Sequence, residues 1–211
     1  MHGGSVSTLA LQTPHGQAAA HLHHAPGATA ALVLGHGAGG GIAAPDLVAV
    51  TEAAAAATIS VALVEQPYRV AGRRSPAPAG QLDAAWTAVI DRLREDELRG
   101  LALVVGGRSS GARVACRTAA ATAAVGVLCL AFPLQPPQRR SAADPSPSRL
   151  GELDAVVAPT LVIQGARDRF GMPPAGAHRE VVAVQGDHSL RTDAGAVAAA
   201  AGEWLARVVS A

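Results

Sequence analysis

The chain has 211 residues, 49% of them hydrophobic and 2% aromatic, with 17 basic residues against 16 acidic ones and a formal net charge of +1. That length supports one sizeable core and is marginal for two, and the apolar fraction excludes a disordered chain. The near balance of charge leaves no electrostatic footprint for nucleic acid or an anionic membrane, and neither is expected as a partner.

The N-terminus, MHGGSVSTLALQT, lacks a charged segment followed by a long apolar run, so no signal peptide is expected. Residues 6–24 fall outside the rhythm of the rest and are expected to supply one or two edge strands, within an N-terminal region 1–27. Residues 30–34 read as a buried strand ending at Gly35, and 46–57 as a helix with Pro45 ahead of it. The alanine-rich run near residue 55 is too short and too amphipathic to span a membrane. Residues 59–64 form the next strand. Over 81–98, Leu82, Trp86, Val89, Ile90 and Leu93 recur at helical spacing, with Asp91, Arg92, Glu95 and Asp96 on the other side. A strand at 101–105, a helix at 112–123 and a strand at 126–131 follow. Residues 132–152, FPLQPPQRRSAADPSPSRLGE, are rich in Pro, Ser and Arg and read as a long loop, the only stretch free to act as a short cap. Strands at 160–164 and 180–184 and a helix at 193–209 close the chain.

Near-continuous apolar strands alternating with helices predict an α/β fold: one domain over 1–211, with a mostly parallel sheet covered by helices on both faces and minimal or no cap. Cys116 and Cys129 lie in apolar surroundings and are expected as free buried thiols, and no zinc-type spacing occurs. Every basic residue other than histidine is arginine, a bias that makes arginine a poor clue by itself. A soluble, cytoplasmic protein is the expectation.

The chemistry starts at GGRSSGAR, residues 106–113, directly after the strand LALVV. A nucleophile on a sharp strand-to-helix turn needs glycine two residues before it and two after, because larger side chains there strike the adjacent strand and helix. Gly107 and Gly111 flank Ser109 in this way, whereas Ser110 would have Arg108 in the first position. Ser109 is therefore the candidate nucleophile; the simpler alternative is a turn whose serines cap a helix. A serine needs a base, and the base an orienting carboxylate. Asp168 follows the strand at 160–164 in GARDRFG, and His188 follows the strand at 180–184 in QGDHSL. Either residue alone reads as a surface loop residue; the order serine, acid, histidine, each after a strand, favours a triad. Asp187 is the rival acid, poorly placed to reach around the ring of its neighbour. Backbone amides must meet the charge of a tetrahedral intermediate. Ser110 at the helix start supplies one, and Ala38 in the glycine-rich loop LGHGAGGG the other. A phosphate-binding loop is the weaker reading of that stretch, since no lysine follows.

With these residues the chain resembles the α/β-hydrolase family from about residue 28 onward. It is most similar to the small, nearly lid-less branch around dienelactone hydrolases, which includes bacterial hydrolases and a testis-expressed vertebrate relative. The resemblance rests on GHGAGG (35–40), GRSSGAR (107–113), QGARDRFG (164–171), GDHSL (186–190) and EQPYRVAGRRSPAP (65–78). It implies Ser109 as nucleophile, Asp168 as acid and His188 as base. Dienelactone hydrolases proper use a cysteine at that position, so their substrate does not carry over.

Tyr68, Arg73 and Arg74 lie beyond a strand end on the expected active-site side and are candidate substrate-binding residues, as is Arg108; a structural turn with solvated arginines is the alternative. In HLHHAP, His21 and His23 share one strand face, but no third ligand is near in sequence, and neither a metal nor a cofactor is expected. The expected function is hydrolysis of a small acyl ester or thioester through an acyl-enzyme. The alternatives are cofactor-free perhydrolysis on the same triad, or a non-catalytic binding or scaffold protein of the same fold. The expected partner is the small-molecule acyl substrate, and the state as monomer or homodimer is left open.

Overall fold

The structure is a computed structural model and describes residues 6–136 and 147–210. The stretch read as a cap loop, 132–152, therefore lies in part outside the described residues, as does the start of the N-terminal region 1–27.

The first two strands, β1 (Val6–Thr13) and β2 (Gly16–His23), form a hairpin. Six more strands follow: β3 (Ala30–Gly35), β4 (Ile59–Glu65), β5 (Ala102–Arg108), β6 (Gly126–Leu130), β7 (Thr160–Gly165) and β8 (Arg179–Val184). They join the hairpin in one sheet of order β1-β2-β4-β3-β5-β6-β7-β8. β2 pairs antiparallel with β4, and every pairing from β4 to β8 is parallel. The residues of β3, β6 and β7 are all buried, which is why these strands read as unbroken apolar runs rather than alternating ones.

Parallel neighbours need crossover connections, and these supply the two outer layers. On one face lie α1 (Pro45–Ala56) and, at the end of the chain, α6 (Ala194–Val209), which bury Leu47, Val50, Val197, Trp204 and Leu205. After the single turn α2 (Pro67–Val70), the other face is covered by α3 (Ala79–Glu95), α4 (Ser110–Thr118) and the short α5 (Leu150–Asp154). α3 turns inward the Leu82, Trp86, Val89, Ile90 and Leu93 stripe that its spacing predicts. Trp86 and Trp204 are fully buried on opposite faces. Each contributes on the order of 5 kcal/mol of burial, at about 25 cal/mol per Å² over about 200 Å².

Two differences from the sequence reading have local causes. The helix expected over 112–123 stops at Thr118, because the Thr118 and Thr122 hydroxyls bond back to the carbonyls of Val114, Thr118 and Ala119 and compete with the ladder. At the end of the stretch read as a loop, α5 begins at Leu150 and continues past residue 152 to bury Leu153. Cys116 and Cys129 are free, buried and 3.5 Å apart at sulfur. No helix among the described residues is long and apolar enough to cross a membrane.

Candidate active site

The loops that leave the carboxyl ends of β3, β5, β7 and β8 gather along one edge of the sheet. β5 turns into α4 through Ser109, whose φ of 53° and ψ of −105° lie outside the ordinary regions for a residue with a side chain. Such strain costs about 1–3 kcal/mol and persists only where the surroundings fix it. Here the Ser109 amide donates to the Leu130 carbonyl at 2.9 Å, pinning the turn to the end of β6. The flanking glycines are sterically required: a Cβ on Gly107 or on Gly111 would run into the Gly35 carbonyl of β3.

The geometry brings Ser109, His188 and Asp168 together from 79 and 20 residues apart. Ser109 Oγ lies 3.0 Å from His188 Nε2, and His188 Nδ1 lies 2.7 Å from Asp168 Oδ2. The Asp168 side chain is 1% exposed and the His188 side chain 21%. Asp168 is held on both oxygens: Oδ1 accepts from the Phe170 amide at 2.9 Å, and Oδ2 from Gln164 Nε2 at 2.9 Å. Gln164, fully buried at the end of β7, also reaches the carbonyls of Phe132 and Gly171. The Phe170 ring meets the His188 ring edge-on at 4.5 Å between centroids. Asp187 faces elsewhere: one of its oxygens accepts from the amide and hydroxyl of Ser189, which hold its carboxyl below the usual range.

Both expected amide donors border the same cleft, a cavity of about 850 Å³. Ser110 is the first residue of α4, where an amide has no carbonyl partner within the helix. The Ala38 amide is oriented indirectly. The Gly37 carbonyl accepts from His36 Nδ1 at 2.8 Å and from the Gly40 amide at 3.2 Å. In a trans peptide the next N–H points the opposite way, so the Ala38 amide faces away from the buried imidazole. His36 Nε2 accepts from the Gln66 amide at 3.2 Å. A carbonyl accepts only and an amide donates only, so these two partners fix the neutral ring with its proton on Nδ1. Burial agrees, lowering the His36 pKa.

The four substrate-binding candidates divide. Arg108 lines the cleft, but its guanidinium is committed: Nε lies 2.9 Å from Asp46 Oδ2, and Nη2 donates to the His188 carbonyl at 2.9 Å. Tyr68 is buried beneath the cleft, its hydroxyl donating to the Ala38 carbonyl at 3.1 Å. Arg73 and Arg74 are exposed and do not line the cleft. The cause is α2: Pro67 starts a helical turn, the Arg73 amide closes it on the Tyr68 carbonyl at 2.8 Å, and the two arginines are directed outward. In the histidine-rich hairpin, His21 pairs with Glu65 at 3.0 Å and meets Thr8 at 3.1 Å, and no metal-ligand cluster of three or more occurs among the described residues. Sequence reasoning passed over His36, Gln164 and Phe170. All three lie inside the motif stretches, next to residues that drew attention for other reasons. Arg113, Arg149, Arg169 and Arg191, which also line the cleft, had no signal in a chain where arginine is the only strong base.

Residues 28–204 match the family of the alpha/beta hydrolase domain. No curated protein matches the sequence significantly. Among solved structures, a lid-less α/β serine hydrolase from Xanthomonas campestris superposes with a TM-score of 0.76 at 18% identity, covering 98% of this chain and 96% of that one. A dienelactone hydrolase from Anabaena variabilis gives 0.75 at 19% identity, covering 98% and 99%. Est1E from Butyrivibrio proteoclasticus, with ferulic acid bound, gives 0.77 at 14% identity, covering 96% and 100%.

Proposed function

The chain belongs to the alpha/beta hydrolase domain family, and on that premise we propose that it is a serine hydrolase acting on a small acyl ester or thioester through an acyl-enzyme. The observation that carries this reading is the continuous hydrogen-bonded line from Ser109 Oγ through both nitrogens of His188 to the buried carboxylate of Asp168.

In the proposed reaction His188 Nε2 takes the Ser109 proton as Oγ attacks the acyl carbon. Asp168 accepts from Nδ1, keeps the ring oriented and stabilises the imidazolium; Gln164 and the Phe170 amide keep that carboxylate in place. The amides of Ser110 and Ala38 meet the oxyanion. Imidazolium then protonates the leaving group, and the neutral ring activates water to release the acid and restore Ser109. Neighbours of the same fold described as a serine hydrolase and as an esterase are consistent with this chemistry.

The test compares wild type with Ser109→Ala on short p-nitrophenyl esters, with fluorophosphonate labelling located by mass spectrometry. The expected result is label on Ser109 and a fall in kcat of about 10⁴-fold or more in the variant. An active variant would place the chemistry on another residue, and absence of both label and wild-type activity would assign the fold to a binding role.

A further inference from the structure

Among the described residues, five arginines line the cleft, Arg108, Arg113, Arg149, Arg169 and Arg191, and no aspartate or glutamate does. The whole chain carries 17 basic and 16 acidic residues, so this is segregation of charge, not abundance of arginine. A concave site walled by one sign of charge concentrates ligands of the other sign.

Two of the five are spoken for. Arg108 pairs with Asp46, and Arg113 takes both oxygens of Glu152. The other three form no ion pair with a described carboxylate. Arg149 is half-buried, with Nη1 donating to the Pro133 carbonyl at 3.0 Å. It stands beside Arg113 and Arg117, whose carboxylates are Glu152 and Asp83, so three cations share two anions on that wall. Burial, and then the Arg113 charge, make its cationic form costlier than in water. Arg169 lies with its guanidinium carbon 4.8 Å from the Phe170 ring centroid, and Phe170 in turn packs on His188. Arg191 follows His188 by three residues and is exposed. These side chains come from the loops before α5, after β7 and after β8, and they line the cleft that holds Ser109. The oxyanion itself is met by the Ser110 and Ala38 amides, so the arginines serve a second charge.

We propose that the substrate carries a carboxylate or phosphate away from its scissile carbonyl, bound by Arg149, Arg169 and Arg191; this rests on the serine hydrolase reading of the same cleft. Guanidinium groups suit both anions because they present paired N–H donors.

Binding is measured calorimetrically on Ser109→Ala, which holds ligand without turnover, using three 4-nitrophenyl esters: mono-4-nitrophenyl glutarate, its neutral methyl diester, and the ester of 4-phosphonobutanoate. At least one anionic ester is expected to bind about tenfold or more tightly than the neutral one, the ratio that one charge-assisted contact gives. Whichever anion binds tighter identifies the group. The preference is expected to shrink when Arg169→Gln, Arg191→Gln or Arg149→Gln is added, and in about 0.5 M salt. Arg169 and Arg191 are exposed, so their replacement leaves the core untouched. Equal binding of the neutral diester, or a preference that survives all three substitutions, overturns the proposal. Fluorophosphonate labelling of wild-type Ser109 reports separately on the hydrolase reading, so the two failures are distinguishable.

Discussion

His36 shows how one side chain ties pH to both stability and site geometry. Its ring is neutral because the Gln66 amide donates to Nε2 and burial disfavours the charge. The folded pKa therefore lies below 6.5, the unfolded value. The stability this group contributes is complete above that value and is lost as pH falls through the folded pKa. Denaturant midpoints are expected to drop between about pH 7.5 and pH 5.5, with a shallower drop in His36→Gln. His23 is shifted in the same direction, so the difference between wild type and variant is the informative quantity. An identical slope in both proteins would remove His36 from the account. At this scale the strained turn at Ser109 was legible because flanking glycines are a steric necessity that sequence records directly. His36 was not: its role passes through the Gly37 peptide plane, which no residue spacing encodes.

Between elements, two charged contacts span several helices and loops. Arg108, at the end of β5, joins the fully buried Asp46 of α1 to the carbonyl of His188. Burial already raises the Asp46 pKa, and Arg108 opposes the rise. Arg108→Gln would leave that carboxylate unpaired, at a cost of about 3 kcal/mol near pH 7. A raised carboxyl pKa loses stability as pH climbs through it, so the deficit is expected to shrink toward acid pH and to be relieved by adding Asp46→Asn. Urea titrations at two pH values test this; a pH-independent deficit contradicts it. On the opposite face, Glu152 of α5 binds Arg113 and Arg117 of α4, and Arg117 also holds Asp83 of α3. Burial works against the Glu152 charge, but the two guanidinium groups outweigh it and lower its pKa below 4.5. Its stabilisation is present above 4.5 and lost as pH falls through the folded value. Glu152→Gln is expected to cost about 2 kcal/mol at neutral pH, a difference that thermal melts should show vanishing in acid. Strands and long helices were readable from apolar runs and spacing. α2 and α5, at four and five residues, are too short to carry a period, and each depends on its packing.

For the molecule as a whole, alternation of apolar strands and amphipathic helices was enough to foresee a parallel sheet with two covered faces. The side to which Arg73 and Arg74 turn was not legible, since one helical turn decides it. Nor was the set of arginines along the cleft, which exists only once loops far apart in the chain converge. That convergence has a kinetic counterpart. Ser109 and His188 are 79 residues apart and meet only after β5 through β8 have aligned. Parallel pairing over such separations pays its loop-closure entropy before any contact repays it, so it is a late event in folding. After dilution from denaturant, helical circular dichroism should recover first, and Ser109 labelling by fluorophosphonate should lag behind it. Ser109 is thus a timer for the last stage of chain assembly, and simultaneous recovery of both signals would mean that the sheet closes in one step.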